Sequence, residues 1–296
     1  MEPVERLYLD ALMEDPAVPE RSLRPQLLAG ARARRRPAAP TAAWAEPYAA
    51  RVAAMDALLA SAVDDDWTRI IVEGWTLQDL VAHLAAKDGL LAASVGAPVL
   101  GPALTSTDSP GRTADVQAYE RARSPEQTRR DWRAQADALC RHLAELPAGT
   151  PANLDGFDAP VGDHILARTL ETWIHTDDAA TVARARLPLP IPAHIHPTAD
   201  LCARLLPWTM LLSGLDASGR TLLLTLTGPG GGEWRVALGV EDGTPGTAAA
   251  HVTADVVDFC FLLGGRGDPA SFPADLDGDL ALARDVLAAA PALSGP

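Results

Sequence analysis

Between Leu187 and Pro197 the chain places Pro188, Pro190, Pro192 and Pro197 in one short stretch, and the hydrophobic pattern differs on its two sides. Proline fixes φ and lacks a backbone donor, so prolines at this density favour extended structure over helix. Residues 187–197 therefore read as a linker. Before it, from Thr41 to Arg186, apolar residues recur at helical spacing. This region predicts four helices and no strand: about Ala42–Val63, one opening at Thr76, about Ala114–Glu145 and about Asp163–Arg186. After it, Thr221–Thr227 and Glu233–Val240 read as strands joined by a hairpin loop at 228–232. A third strand is expected at about Ala248–Val252, with helices at Val256–Leu263 and about Asp279–Ala290. The fold class is thus α+β: a helical bundle over 41–186, then a small α+β domain over 198–296. Residues 1–40 form an N-terminal extension, with an amphipathic helix expected at Val4–Met13 and a Pro- and Arg-rich linker after it.

Local signals sharpen some of these boundaries. Thr76 and Asp79 have the spacing of a capping box, with the acid facing the positive end of the helix. The stretch 97–113 reads as a long loop. Ser124-Pro125 marks a kink in the third helix or its true start. Glu120 and Glu126 are expected to be surface charges.

Bulk properties exclude several functions. The net charge of −14 argues against nucleic acid and anionic membranes as partners. Arg32, Arg34, Arg35 and Arg36 read as a solvated loop. No apolar run approaches the ~20 residues of a membrane span, and the first residues lack a signal-peptide core, so a cytoplasmic location is expected. Cys140, Cys202 and Cys260 lie far apart and form no CxxC pair, as for reduced structural thiols. Lys87 is the single lysine against 24 arginines. That ratio is a codon signature of a high-G+C genome such as an actinobacterial one.

Candidate chemistry concentrates on the fourth helix. Glu171 and His175 are four residues apart and share a face. With His83, which stands in an apolar run, they supply three N/O ligands for a divalent metal and leave a position open. By spacing alone, such a pair is usually solvent-facing, and a lone His in an apolar run is more often a hydrogen-bonded core residue than a ligand. His164, Arg168, Glu171, His175 and Asp178 continue one polar stripe, whose commoner meaning is a solvated helix face. There is no GxSxG nucleophile elbow, and Gly228–Gly232 does not join a strand to a helix as a phosphate loop would.

Two segments carry a family resemblance. Gly74-Trp75-Thr76-Leu77-Gln78-Asp79-Leu80-Val81-Ala82-His83-Leu84, followed by Asp88, resembles the first metal motif of the mycothiol-dependent maleylpyruvate isomerases. Arg168-Thr169-Leu170-Glu171-Thr172-Trp173-Ile174-His175-Thr176-Asp177-Asp178 resembles the second. The segments Val252–Asp255, Leu263–Arg266 and Asp277–Asp279 resemble parts of the family's C-terminal domain. About residues 42–290 are covered. The resemblance implies a DinB-like four-helix bundle with His83, Glu171 and His175 around a divalent metal, most often zinc. It implies mycothiol as thiol co-substrate and a small electrophile as substrate, with isomerisation or S-transfer as the reaction. Arg266 is expected as a catalytic and cofactor-binding residue, reaching a carboxylate of thiol or substrate in a cleft between the domains, and Arg168 as a second cofactor-binding residue. Arg266 is otherwise a surface residue complementing a helix C-terminus. A metal- or thiol-sensing scaffold and a metal-dependent hydrolase are the competing readings.

Overall fold

The computed structural model describes residues 36–185, 187–241 and 243–294. The expected helix at Val4–Met13 lies outside them. In the first half, helix α1 (Glu46–Leu59) is followed by a single turn, α2 (Asp64–Trp67), and a small hairpin, β1 (Ile70–Val72) and β2 (Trp75–Thr76). Helices α3 (Leu77–Ser94), α4 (Ser109–Glu120) and α5 (Pro125–Leu143) come next. A second hairpin, β3 (Pro151–Leu154) and β4 (Phe157–Pro160), leads into α6 (Val161–Val182). Helices α1, α3, α5 and α6 pack as a closed ring of four, with α4 laid against α3. Their shared core includes Met55, Leu58, Leu80, Leu84, Trp132, Leu139 and Ile165.

The hairpins correct the strand-free expectation for 41–186. Each is short and turns through residues in the left-handed region, Glu73-Gly74 and Asp155-Gly156. Strands of two to four residues leave too little alternation for periodicity to register. The 97–113 loop is also shorter than expected, because Asp108 caps α4 by accepting from Gly111 N at 2.8 Å. The third helix is two. Ser124 starts α5 with a capping box to Gln127, and Pro125 stands at its first position.

Helix α7 (Pro192–Leu212) overturns the reading of the proline-rich stretch. Extended chain runs only to Ile191. Pro192 opens the helix, where its missing N–H costs nothing. Pro197 and Pro207 lie inside it and each removes an intrahelical bond. Tertiary packing offsets that loss: Ile195, Ala199, Cys202, Ala203, Leu206 and Met210 make a buried stripe. A fully buried Leu or Ile contributes about 1.5–3 kcal/mol, so several outweigh the roughly 3 kcal/mol that one interior proline costs.

The stripe packs under a four-stranded sheet of order β6-β5-β7-β8, formed by β5 (Thr221–Thr227), β6 (Gly232–Ala237), β7 (Ala250–Asp255) and β8 (Ala274–Gly278). β5 pairs antiparallel with β6 and parallel with β7, and β8 closes the edge antiparallel to β7. Helices α8 (Val256–Leu263) and α9 (Leu280–Ala289) complete this half. Its core includes Leu222, Leu224, Val252, Phe259 and Leu262, together with Trp173 of α6. The segment from Ala38 to Pro296 is one compact unit holding two main apolar cores. Among the described residues no helix is long and apolar enough to cross a membrane.

Candidate metal centre

The capping box expected at Thr76 is present: Asp79 N donates to Thr76 Oγ1 at 3.1 Å, and Thr76 N donates to Asp79 Oδ2 at 3.1 Å. It fixes the start of α3 and hence the phase at which His83 enters the bundle. His83 is 3% exposed. Burial is the main force lowering its pKa, and the Glu171 carboxylate opposes it.

The two ring nitrogens of His83 have separate partners. Nε2 lies 2.7 Å from Glu171 Oε1, and Nδ1 lies 3.1 Å from the Thr113 hydroxyl on α4. A hydroxyl both donates and accepts. Thr113 therefore serves His83 when Nε2 carries the proton and equally when Nδ1 carries it. Trp75 covers the ring, with centroids 4.9 Å apart.

Glu171 and His175 come from α6, one turn apart as their spacing required. The ligand atoms of His83, Glu171 and His175 all lie within 4.8 Å of one another. The remaining nitrogen of His175, Nδ1, meets Asp178 Oδ2 at 3.0 Å. This is the carboxylate–histidine pairing that orients metal-binding imidazoles. Both rings thus engage Nδ1 in a hydrogen bond, and His83 turns its Nε2 to Glu171.

The polar stripe on α6 is not a solvated face. Arg168 is 1% exposed, His164 6% and His175 9%. Arg168 Nε donates to Asp88 Oδ1 at 3.0 Å, and Arg168 Nη1 pairs with Glu171 Oε2. Asp88, fully buried, also accepts from Trp132 Nε1 at 3.2 Å. Burial raises the Asp88 pKa, with Arg168 acting against it. Burial pushes Glu171 the same way, but there the Arg168 guanidinium and His83 prevail and hold the carboxyl well below its usual range.

Arg266 does reach α6 and does bind a carboxylate, but that carboxylate is the protein's own. Its Nε and Nη2 contact Asp178 Oδ1 and Oδ2 at 3.0 and 2.6 Å. Gly264 makes this approach possible. A Cβ there would stand 1.8 Å from Ile174 Cδ1, so any other residue requires the Ile174 side chain to shift before the end of α8 can lie on α6. Glu120, expected at the surface, is 2% exposed and bonded to Thr128 Oγ1 at 2.9 Å. Cys140 is buried, and burial first, then Asp88 and Asp137, push its thiol up to about 12, which leaves it unreactive.

A cleft of about 1070 Å³ opens beside His83. Trp75, Lys87, Thr113, Ser109, Asp155 and Leu154 are among its walls, and Leu293 is the one lining residue from the C-terminal half. The cleft therefore belongs almost entirely to the helical half, where an interdomain cleft was expected.

Three residues of this centre carry a weak sequence signal or none. Asp88 is an acid inside the apolar run of α3, and such a residue requires a buried partner. Asp178 is visible as part of the stripe. Thr113 gives no signal, because its role depends on how α4 packs against α3.

The donor set suits a divalent cation. Two imidazole nitrogens and one carboxylate oxygen converge, both imidazoles have outward partners, and Arg168 balances only one of the two carboxylates it touches.

Comparisons with known proteins bear on the fold and on the family resemblance. Two uncharacterized proteins of Mycobacterium tuberculosis, from strains CDC 1551 / Oshkosh and ATCC 25618 / H37Rv, are each 28% identical over 216 residues, spanning 71% of this chain and 79% of theirs. A crystal structure of the mycothiol-dependent maleylpyruvate isomerase superposes with a TM-score of 0.51 at 20% identity, over 79% of this chain and 91% of that one. That likeness is one of fold. The family model described as the mycothiol maleylpyruvate isomerase N-terminal domain matches residues 48–180, which hold His83, Glu171 and His175. Over those residues the chain is similar to the mycothiol maleylpyruvate isomerase N-terminal domain.

Proposed function

We propose that this protein is a metal-dependent, thiol-using enzyme of the maleylpyruvate isomerase type, with mycothiol as co-substrate and a small electrophile as substrate. The observation that carries the reading is the convergence of His83, Glu171 and His175, each imidazole with its other nitrogen already engaged. Zinc is the metal we assign to this donor set. A cation held there supplies Lewis acidity that lowers the pKa of a thiol.

The chain's own residues hold and orient. Arg168 occupies Glu171 Oε2, which leaves Oε1 as the oxygen offered to the centre. Arg266 clamps Asp178, and Asp178 fixes the ring of His175. Arg266 and Arg168 thus act as positioning residues of the centre. Trp75 shields one face of His83 from water. With a cis-alkene substrate, the thiol sulfur adds to one alkene carbon, rotation follows about the resulting single bond, and expulsion of the same thiol gives the trans isomer. No oxidant is consumed. S-transfer would use the same thiol without the final expulsion.

The test is elemental analysis of the purified protein, then turnover of maleylpyruvate and a panel of electrophiles with mycothiol present or withheld. One metal per chain and thiol-dependent turnover are expected. Equal turnover without thiol would point to a metal-dependent hydrolase. Metal-loaded protein with neither turnover nor thiol binding would point to a sensor or scaffold.

A further inference from the structure

Four arginines are buried among the described residues: Arg51, Arg112, Arg133 and Arg168. Three of them have acceptors. Arg112 donates to the carbonyls of Ala103 and Pro102 at 2.8 and 3.0 Å. Arg133 faces Asp56 and Asp137, and Arg168 faces Asp88 and Glu171. Arg51 of α1 is the exception. It is 9% exposed, makes no hydrogen bond or ion pair among the described residues, and has its Nε sealed from solvent. Burial lowers its pKa, and no carboxylate acts against that. A buried cation without a partner is destabilising, so the site is set to gain from an anion supplied from outside the chain.

A cavity of about 590 Å³ lies at the same end of α1. Its walls include Trp44 just before α1, Pro47 in its first turn, Leu166 of α6, and Ile191, His194 and Pro197 around the start of α7. It shares no lining residue with the cleft beside His83. Arg51 stands one turn after Pro47, and helical side chains lean toward the helix N-terminus, so the guanidinium is carried toward this cavity. Burial and then the Arg51 charge lower the pKa of His194, which sets that charge close to the cavity wall. The two acids in the wall do not pair with Arg51. Asp163 is held by both Nη groups of Arg204, at 2.9 and 2.8 Å. Glu46 is exposed in the first turn of α1, where the positive end of the helix offsets its charge.

We propose that this cavity is a second ligand site, separate from the metal centre, for an organic monocarboxylate with an apolar body. The carboxylate pairs with Arg51, and the body lies against Trp44, Pro47, Leu166 and Ile191. A guanidinium binds a carboxylate through two parallel hydrogen bonds. The volume is in the range of pockets that enclose small organic ligands, about 300–1,000 Å³. A bare inorganic anion would leave most of the apolar wall uncovered, so the wall selects a ligand with a hydrocarbon part. The inference goes beyond the thiol-enzyme reading and does not depend on it.

The test titrates 2-naphthoate into the full chain by calorimetry, beside its neutral amide 2-naphthamide and inorganic phosphate. Chelator-treated protein is used, so that the carboxylate cannot bind a metal instead. Saturable binding of 2-naphthoate by the wild type is expected, with the amide and phosphate each at least about tenfold weaker, the size of one charge-assisted contact. Arg51→Met should bring 2-naphthoate down to the level of the amide. Thermal unfolding gives a second readout. Arg51 has no partner to lose in the free protein, so Arg51→Met should melt within a few degrees of the wild type or above it, and 2-naphthoate should raise the Tm of the wild type alone. No saturable binding by the wild type, equal affinity for the amide or for phosphate, or equal affinity in Arg51→Met overturns the proposal. An Arg51→Met protein that melts far below the wild type, or does not fold, overturns it as well, because the guanidinium would then be holding the fold and not awaiting a ligand.

Discussion

Two buried ionic clusters stand in the same helical bundle, and they are built to different rules. In the first, Asp56 of α1 accepts from Arg129 Nη1 at 2.7 Å and Arg133 Nη1 at 3.0 Å, and Arg133 Nε reaches Asp137 at 2.7 Å. Two guanidinium groups there face two buried carboxylates. The second sets one guanidinium, Arg168, against two carboxylates, Asp88 and Glu171. The remaining negative charge is met by the His83 imidazole and, more weakly, by Lys87. The balanced cluster ties α1 to α5. The unbalanced one is short of positive charge, in a place where nitrogen ligands already converge. A buried ionic cluster therefore reads as structural or metal-binding by its charge balance and donor types, since burial alone is common to both.

The largest expected effect comes from emptying each cluster of its central guanidinium. Breaking a buried pair by removing one partner typically costs about 3–5 kcal/mol, because the other charge is stranded. Arg168→Met and Arg133→Met should both lose stability of that order in urea unfolding. Only Arg168→Met should also lose metal, because Glu171 then turns away from His83. Elemental analysis of both variants checks this. Equal metal content in the two would erase the distinction between the clusters.

Metal linkage should separate the clusters almost as strongly. A ligand that binds only the folded state stabilises it by RT ln(1 + [L]/Kd), about 4 kcal/mol at a thousandfold excess over Kd. Added zinc should raise the wild-type Tm, and His83→Ala should abolish that rise. Asp56→Asn should lower the starting Tm but keep the rise. A full zinc response in His83→Ala would remove His83 from the ligand set.

A smaller effect tests how the C-terminal half supports the centre. Gly264→Ala should force the end of α8 off Ile174 and pull Arg266 from Asp178. Asp178→Asn keeps the backbone and removes only the charge that holds His175 and Arg266. Loss of such an orienting partner typically costs 10- to 100-fold in metal affinity. Both variants should fall in that range in a competition titration with a chromophoric chelator. A change in Gly264→Ala alone would assign the effect to packing and release Asp178 from its role.

The clusters also differ in how legible they were. Glu171 and His175 could be placed on one face by spacing alone, and His83 joined them through the resemblance around Gly74–Leu84. The fold class was legible from the switch of periodicity on either side of the prolines. What the sequence hid depended on tertiary packing. Prolines 197 and 207 argue against α7, which forms because its stripe is covered by the sheet. Strand β8 is a short acidic edge with little alternation to detect. The Arg266 guanidinium was expected to meet a ligand carboxylate, because no sequence rule pairs it with an Asp 88 residues earlier. The balanced cluster was not legible at all, since Asp56, Arg133 and Asp137 look like ordinary helix-surface charges.

The smallest effect concerns an ionic contact outside both clusters, at the first turn of α3. Asp79 accepts from Arg121 Nε at 2.7 Å and closes the capping box with Thr76. Burial acts to raise its pKa, but the bonds from Arg121 and Thr76 outweigh it, and the carboxyl titrates below its ordinary value. A carboxyl with a depressed folded pKa adds stability that is complete above its unfolded value, about 3.9. That stability is lost as pH falls through the lower folded value. Asp79→Asn should therefore cost about 1 kcal/mol near pH 6, the usual size of a cap contribution. The gap between wild type and variant should close as pH falls below about 3.9. Urea unfolding of both proteins across that range measures the gap. A constant difference at every pH would mean that the amide disturbs the helix start by its shape, and that charge at Asp79 contributes nothing to the phase in which α3 delivers His83.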